Sequence, residues 1–411
     1  MSPLTLLLGA YALIGFLYWT LMAVAALKVR RDVPVLADLH PPEPRQWPKL
    51  SVVIPACNEA EEIQDAVSTL MEEDYPDLEI ILVDDRSTDA TGAIMDRLTA
   101  ADPRVKGLHL RDLPEGWLGK VNALRQGYAL AGGAYVLFTD ADVHFQSGTL
   151  RKAVAYCEKE GIDHLTAFPE IWPSSLPLEL TIAPFIRQFV AMTRPWAVSD
   201  PRSKAFLGIG AFNLVRRSAF ERTPGFEWLR MEVADDVCLG LMMKRAGARC
   251  AVVTAFGQVG LYFYRSFGQA VRGAQKGFAA AGYRLPRALL IAALSLALET
   301  APVVALLILC LGGPAFLRWS CAAVLAAFAA SAYLLDRWTR VARRHGPDPM
   351  ARPALRAGRL VASLLTPLVA PLTVGIFVHA AVAGRLRGGV VWRGTLYRIE
   401  DLRRGARLPV L

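Results

Sequence analysis

The chain has 411 residues, of which 54% are hydrophobic and 20% charged, and its mean hydropathy is +0.32. That is too apolar for a soluble globular enzyme and too charged for a bundle of membrane helices alone, so the composition implies two parts. The formal net charge of +9 is read without nucleic acid as a partner: no clustered basic helix or aromatic-basic sheet motif accompanies it, whereas arginines along an anionic bilayer leaflet each gain about 1 kcal/mol of attraction.

The first element is the apolar run Leu4 to Leu27, which is long and lacks a basic n-region, as a retained anchor does and a cleaved signal peptide does not. Three more apolar segments follow late in the chain: Ala288 to Leu311, Phe316 to Leu335 and Leu360 to Val382. Each is near the roughly 20 residues a helix needs to cross the hydrocarbon core. Lys28, Arg30 and Arg31 follow the first run, and Arg337, Arg340, Arg343 and Arg344 follow the third, so these loops and the long stretch between the first two spans are expected on the cytoplasmic side. The predicted division is an anchor over 1–30, an α/β domain over 49–262, an interfacial helix region over 263–286, about three membrane segments over 287–384 and a basic tail over 385–411. If all four runs cross, the arginine-rich tail ends on the outside, against its charge. Pro367 and Pro371 interrupt the last run, so it is expected to be broken or re-entrant.

In the central stretch, the β-branched run from Leu50 stopped by Pro55 predicts a buried strand, and Asn58 a cap for a helix from about Glu59 through Met71. A strand over Glu79 to Val83 ends in Asp84 and Asp85; an amphipathic helix covers Ile94 to Leu98; Val105 to Leu110 is the next strand. A helix over Gly119 to Leu130 leads to the apolar run Tyr135 to Phe138, which delivers Asp140 and Asp142. This β-α alternation predicts a mostly parallel sheet with helices on both faces, in which ligands bind at the carboxyl ends of the strands. Two carboxylates at alternate positions of a strand end suit a hard divalent cation, though the same pattern also arises as an acidic turn. His144, just beyond, is either a further ligand or a structural loop histidine. The six cysteines form no C-x-x-C pair and read as reduced thiols.

Taken in order, Ser51 to Glu59 (SVVIPACNE), Val83 to Thr91 (VDDRSTDAT), Gly119 to Leu124 (GKVNAL), Thr139 to Asp142 (TDAD) and Asp235 to Gly240 (DDVCLG) resemble the family 2 glycosyltransferases over roughly Leu50 to Gly260. The resemblance implies a GT-A nucleotide-sugar-binding domain and inverting transfer from a nucleotide-sugar donor. It implies that Pro55, Ala56 and Glu59 line the nucleotide pocket, that Asp85 contacts the base or ribose, and that Lys120 lies near the nucleotide. It also implies that Asp142 with Asp140 holds Mg²⁺ or Mn²⁺ on the donor diphosphate. The family pattern has Glu-Asp where this chain has Asp235-Asp236, which makes Asp236 the matching base and Asp235 a shortened partner.

Chemistry asks for the same parts. Expelling a diphosphate calls for charge neutralisation, which a cation supplies, and an attacking hydroxyl needs a carboxylate base within reach. Asp235 and Asp236 precede a predicted helix over Leu239 to Arg245, where their mutual repulsion raises one pKa; the alternative is that they merely cap it. Gln269-x-x-Arg272-Gly273 stands where processive polysaccharide synthases of the family carry Gln-x-x-Arg-Trp, and the missing tryptophan argues against a long polymer. The chain is more similar there to the branch that glycosylates membrane lipids, the ceramide, hopanoid-associated and carotenoid glycosyltransferases, as it is at Gly116 to Lys120 and Val391 to Tyr397. Arg272 and Lys276, one turn apart, either hold the diphosphate or headgroup or snorkel along an interfacial helix. Ile182 to Val198 reads as an interfacial helix that admits the acceptor from the bilayer, and Lys204 to Asn213 as a flexible acceptor-side loop. The expectation is a membrane-embedded transferase acting on a lipid acceptor, with a polymer synthase and a non-catalytic protein of the same fold as alternatives.

Overall fold

The computed structural model describes residues 2–277, 284–341 and 353–408; Arg343 and Arg344, and parts of the predicted 263–286 and 287–384 regions, lie outside the described residues. The chain begins with helix α1 (Pro3–Asp32), then alternates β1 (Leu50–Ala56), α2 (Ile63–Met71), β2 (Leu78–Asp85), α3 (Thr91–Ala101), β3 (Val105–Leu110), α4 (Gly119–Leu130) and β4 (Tyr135–Phe138). Next come β5 (His144–Phe145), α5 (Thr149–Glu160), β6 (His164–Phe168), β7 (Glu170–Ile171) and α6 (Leu176–Thr193). Then follow β8 (Asn213–Arg216), the short helices α7 (Arg217–Phe220) and α8 (Gly225–Leu229), α9 (Asp235–Arg245), β9 (Cys250–Thr254), β10 (Val259–Leu261) and α10 (Phe267–Gly277). Three long helices, α11 (Leu285–Leu311), α12 (Ala315–Val341) and α13 (Pro353–Leu386), lead to the hairpin β11 (Gly389–Trp392) and β12 (Thr395–Arg398) and to α14 (Ile399–Gly405).

The main sheet has seven strands in the order β3-β2-β1-β4-β8-β6-β9. Its first four strands are parallel, in the register Val52 to Ile80 and Leu137, whereas β8 runs antiparallel to both β4 and β6. The expected mostly parallel sheet therefore carries one reversed strand, and that reversal lies beside β4, where Asp140 emerges. β1 and β2 are buried along their whole length, as strands covered on both faces must be. Val53, Ile81 and Val83 face the layer containing α4, while Val52, Ile54, Ile80 and Leu82 face α2, α3 and α5. Each such side chain, fully enclosed, contributes about 1.5–3 kcal/mol of hydrophobic stabilisation.

Four helices are long and apolar enough to cross a membrane: 3–32, 285–311, 315–340 and 360–386. Helix α1 packs along α12, and α13 along α11, α6 and α10. Helix α13 is continuous through Pro367 and Pro371, so the predicted break does not occur; the Thr366 hydroxyl donates at 2.8 Å to the Ser363 carbonyl, the group that Pro367 leaves without its helical N–H.

The bundle and the α/β domain share a core. Val29 of α1, Trp338 of α12, and Val390, Trp392, Tyr397 and Leu402 of the C-terminal segment all join the hydrophobic cluster on the α4 side of the sheet. The indole N–H of Trp338 donates to Thr254 Oγ1 at 3.2 Å. The basic tail is thus a folded part of the domain. Helix α6 is equally integrated: Arg187 is buried within it, and Pro184 is accommodated without ending the helix.

Two local expectations need correction. Helix α2 starts at Ile63, not near Glu59, because Asn58 takes a left-handed conformation (φ 57°) and spends its side chain elsewhere. Its Oδ1 accepts the Thr88 N–H at 2.8 Å, joining the β1 and β2 loops. The 204–212 segment is packed, with Leu207 and Phe212 fully buried, where a flexible loop was expected.

Candidate active site

The carboxyl ends of β1, β2 and β4 lie side by side in the parallel part of the sheet, and each strand end carries polar residues into one cleft. Pro55 and Ala56 close β1 and are buried. Asp85 closes β2 and is wholly buried; Arg86 Nε donates to its Oδ1 at 2.8 Å, and its Oδ2 has no hydrogen-bond partner. Gly119, at the first turn of α4, is required by this approach, since a Cβ there would stand 2.2 Å from Asp85 Oδ2.

Lys120, the next residue, is buried and central. Its Nζ is 2.6 Å from Asp140 Oδ1 and 3.8 Å from Asp235 Oδ2. Burial alone would lower the Lys120 pKa, but Asp140, Asp235 and Asp236 outweigh it and hold the ammonium charged well above its ordinary range. Burial likewise works against the Asp140 carboxylate, and the attraction of Lys120 overcomes it, so this carboxyl is held below its usual value. Asp142 has no such help: burial, then the charges of Asp140 and Glu59, push it up to about 7.

Asp235 and Asp236 form the first turn of α9, so the helix begins at the pair rather than after it. Burial pushes Asp235 up to about 6, against the pull of Lys120 and with added repulsion from Asp236. Asp236 is less enclosed. Its Oδ1 accepts the Val237 N–H at 2.8 Å and its Oδ2 the Gly210 N–H at 2.8 Å. Gly210 also fixes the spacing to β4: a Cβ there would lie 2.5 Å from Asp140 Oδ2 and 3.4 Å from Asp236 Oδ2. Gly208 meets the Asp236 carbonyl just as tightly, a Cβ falling at 1.9 Å. These two glycines are the reason the loop packs, letting its backbone run between the β4 carboxylates and α9.

Of the two basic residues expected on α10, the structure brings in one. Lys276 Nζ sits 4.1 Å from the Trp392 ring centre, and burial, with repulsion from Lys120, pushes its pKa down to about 8. Arg272 is exposed and makes no ion pair among the described residues. His144 packs on Trp172 with the rings tilted by 50° and their centres 5.0 Å apart, and burial lowers its pKa. Gly273 backs onto Tyr264: a Cβ would fall 2.4 Å from that ring, so tyrosine occupies the space next to this position.

The C-terminal hairpin supplies residues for which no role was expected. Arg393 Nη2 is 3.3 Å from Glu59 Oε1, the Tyr397 hydroxyl accepts the Gly119 N–H at 3.1 Å, and Thr395 Oγ1 accepts from Arg86 Nη1 at 3.4 Å. Burial raises the Glu59 pKa, and Arg393 opposes it. The sequence signal was present as a turn: Arg393-Gly394 between two short apolar strands, with φ of 49° and 76°, is a mirror-image hairpin turn.

The donor set suits a hard cation that is completed by ligand oxygens. Among the described residues no group of three or more metal-ligating side chains converges, but one or two carboxylates plus phosphate oxygens is the usual way Mg²⁺ is held. The crowding of Asp140, Asp142 and Glu59, which raises Asp142, is what a bound cation would relieve.

Residues 51–223 match the family model described as Glycosyl transferase family 2. Among curated relatives, the chain is 35% identical over 103 residues to GalNAc(5)-diNAcBac-PP-undecaprenol beta-1,3-glucosyltransferase of Campylobacter jejuni, covering 25% of this chain and 32% of that one. It is 31% identical over 150 residues to beta-monoglucosyldiacylglycerol synthase of Synechocystis, covering 34% and 31%. The chain thus spans about a third of the length of each of these relatives. Among solved structures, the mannosyltransferase PcManGT from Pyrobaculum calidifontis, in complex with GDP-Man and Mn²⁺, superposes with a TM-score of 0.53 at 20% identity, covering 92% of this chain and 99% of that one, a likeness of fold. The α/β domain thus matches glycosyltransferase family 2 over residues 51–223, the stretch that carries the motif-bearing strands, and shares its fold with PcManGT.

Proposed function

We propose that the protein transfers a sugar, with inversion, from a nucleoside diphosphate sugar to the hydroxyl of a membrane lipid at the cytoplasmic face. The observation that carries this reading is the Lys120, Asp140 and Asp235 cluster beside Asp236, gathered just past β4 from the first turns of α4 and α9. The orphaned Asp85 Oδ2 is suited to accept a hydrogen bond from the ribose or base, and Pro55, Ala56 and Glu59 wall the same end of the sheet. UDP is the favoured nucleotide.

Asp236 is the proposed general base. The acceptor oxygen attacks the anomeric carbon, the bond from that carbon to the diphosphate breaks, and the acceptor proton passes to Asp236. Backbone N–H groups of Val237 and Gly210 aim its carboxylate, while Asp235 holds Lys120. Lys120 and Lys276 bring positive charge to the departing diphosphate. Asp142 with Asp140 would hold Mg²⁺ or Mn²⁺, which as a Lewis acid neutralises the diphosphate.

A lipid acceptor is supported by the packing of α6 against the apolar helices α1 and α13 and by the undecaprenol and diacylglycerol groups in the names of the two curated relatives. Tyr264 filling the space beside Gly273 favours single transfer over polymer synthesis. The test is transfer from a panel of UDP- and GDP-sugars into membrane lipid extract, with and without Mn²⁺. We expect one lipid class to gain one sugar mass and Asp236→Asn to lose that product; equal product from both proteins overturns the mechanism.

A further inference from the structure

Arg393 stands in an unusual place. It belongs to the hairpin after the last apolar helix, yet its guanidinium lies among the strand-end carboxylates, 334 residues from its partner Glu59. The hairpin is fixed on three sides: Trp392 lies under Lys276, Thr395 is bonded to Arg86, and Tyr397 is bonded to Gly119 at the head of α4. Arg393 itself adopts a left-handed backbone (φ 49°), uncommon for a long side chain and tolerated where the surroundings impose it.

Its hydrogen bonding is incomplete. Nη2 reaches Glu59 at 3.3 Å, a long contact for a charged pair, and Nη1 is buried with no hydrogen-bond partner. A buried guanidinium N–H left unpaired is costly, and a guanidinium fork matches two oxygens of a phosphate. Lys120 is already committed to Asp140 and Asp235. Among the described residues, Arg393 and Lys276 are therefore two cations of the cleft with capacity left for an incoming anion.

We propose that Arg393 binds the diphosphate of the nucleotide, so that the cleft is complete only when the C-terminal hairpin is docked; this rests on the transferase reading above. A phosphate could equally come from a lipid headgroup, and the arms of the test separate the two. Full-length protein in detergent is titrated, at fixed Mg²⁺, with UDP, GDP, UMP and GMP, and separately with vesicles of phosphatidylglycerol.

Wild type is expected to bind one diphosphate more tightly than its monophosphate. Arg393→Gln should weaken that diphosphate by about tenfold to a hundredfold, leave the monophosphate within about twofold, and leave vesicle binding as in wild type; Arg393→Lys should recover part of the loss. Thermal melting of each variant reports whether the hairpin stays folded. Equal diphosphate affinity in Arg393→Gln and wild type overturns the proposal, as does parallel weakening of the monophosphate, which marks a structural role. Loss confined to vesicle binding assigns the guanidinium to lipid phosphate and also overturns it. Failure of wild type to bind any of the nucleotides removes the transferase reading itself.

Discussion

Arg187 of α6 and Glu299 of α11 form an ion pair 2.5 Å long that is almost entirely enclosed, the side chains being 1% and 4% exposed. Tyr18 of α1 and Gln188 also donate to Glu299, Thr366 of α13 accepts from Arg187, and the guanidinium stacks over Trp19 at 4.6 Å. One carboxylate and one guanidinium thus tie α6 to three of the apolar helices, α1, α11 and α13. Such a pair adds little net stability over an apolar pair of the same shape, but removing one member strands the other.

Glu299→Leu should therefore destabilise the protein by roughly 3–5 kcal/mol, and Arg187→Met by a similar amount, whereas the double change Arg187→Met with Glu299→Leu should lie closer to wild type than either. Thermal unfolding in detergent measures all three. A double variant as unstable as the sum of the singles would mean the two residues are not coupled.

How much of this was legible in the sequence depends on chain distance. Asp140, Asp142 and Asp85 sit at strand ends that hydrophobic periodicity marks, so their neighbourhood followed from a parallel sheet, whereas the Asp235-Asp236 pair at the start of α9 meets Asp140 across the loop that precedes the reversed β8. The helix start at Ile63 was missed because the left-handed turn at Asn58 is set by the opposing β2 loop, not by local propensity. Arg187 and Arg393 were invisible as partners, since Glu299 and Glu59 lie 112 and 334 residues away and no periodicity reports such pairings. The reversed strand β8 was equally hidden, because direction is fixed by the long path through α6.

Gly210→Ala tests the spacing of the site. The new methyl would stand 2.5 Å from Asp140 Oδ2, so Asp140 must swing away and loosen its contact with Lys120. Misplacing a reacting group by about 1 Å costs on the order of a hundredfold in rate. We expect kcat to fall by about that factor with the melting temperature little changed, because the displaced groups are polar and partly open to solvent; steady-state kinetics on the variant, set against its melting curve, decides it.

Lys276 should give the reaction an alkaline limb. Its pKa is pushed down to about 8, so the ammonium is charged below that pH and loses its charge as pH rises through it. Attraction for the diphosphate follows the same course, and kcat/KM for the donor, which reports the free enzyme, should decline above about pH 8. Lys276→Arg, whose cation does not titrate in this range, should flatten that limb. An unchanged limb in the variant would assign it to another group.

The last prediction concerns where the chain ends. Trp338, near the end of α12, is bonded to Thr254 in the α/β domain, so the chain has returned to the domain there. Helix α13 then runs 34 residues, about 50 Å, along α11, α6 and α10, and within three residues enters a hairpin whose Trp392 and Tyr397 are buried in the domain core. Beyond it, the Arg407 N–H donates to Glu232 Oε2 at 2.5 Å and its Nε to the Trp228 carbonyl at 2.9 Å. A hairpin whose aromatics are buried in the domain core holds the end of α13 on the domain's side of the membrane. Undocking the hairpin would expose both rings, at about 3–5 kcal/mol for each if judged by truncation of such residues to alanine. A reporter fused after Leu411 should therefore read out on the same side as the α/β domain, the cytoplasmic side in the proposed topology, while a reporter ahead of α1 should read out on the other. Periplasmic activity from the C-terminal fusion would require the hairpin to be undocked, and Arg393 would then be removed from the cleft along with it.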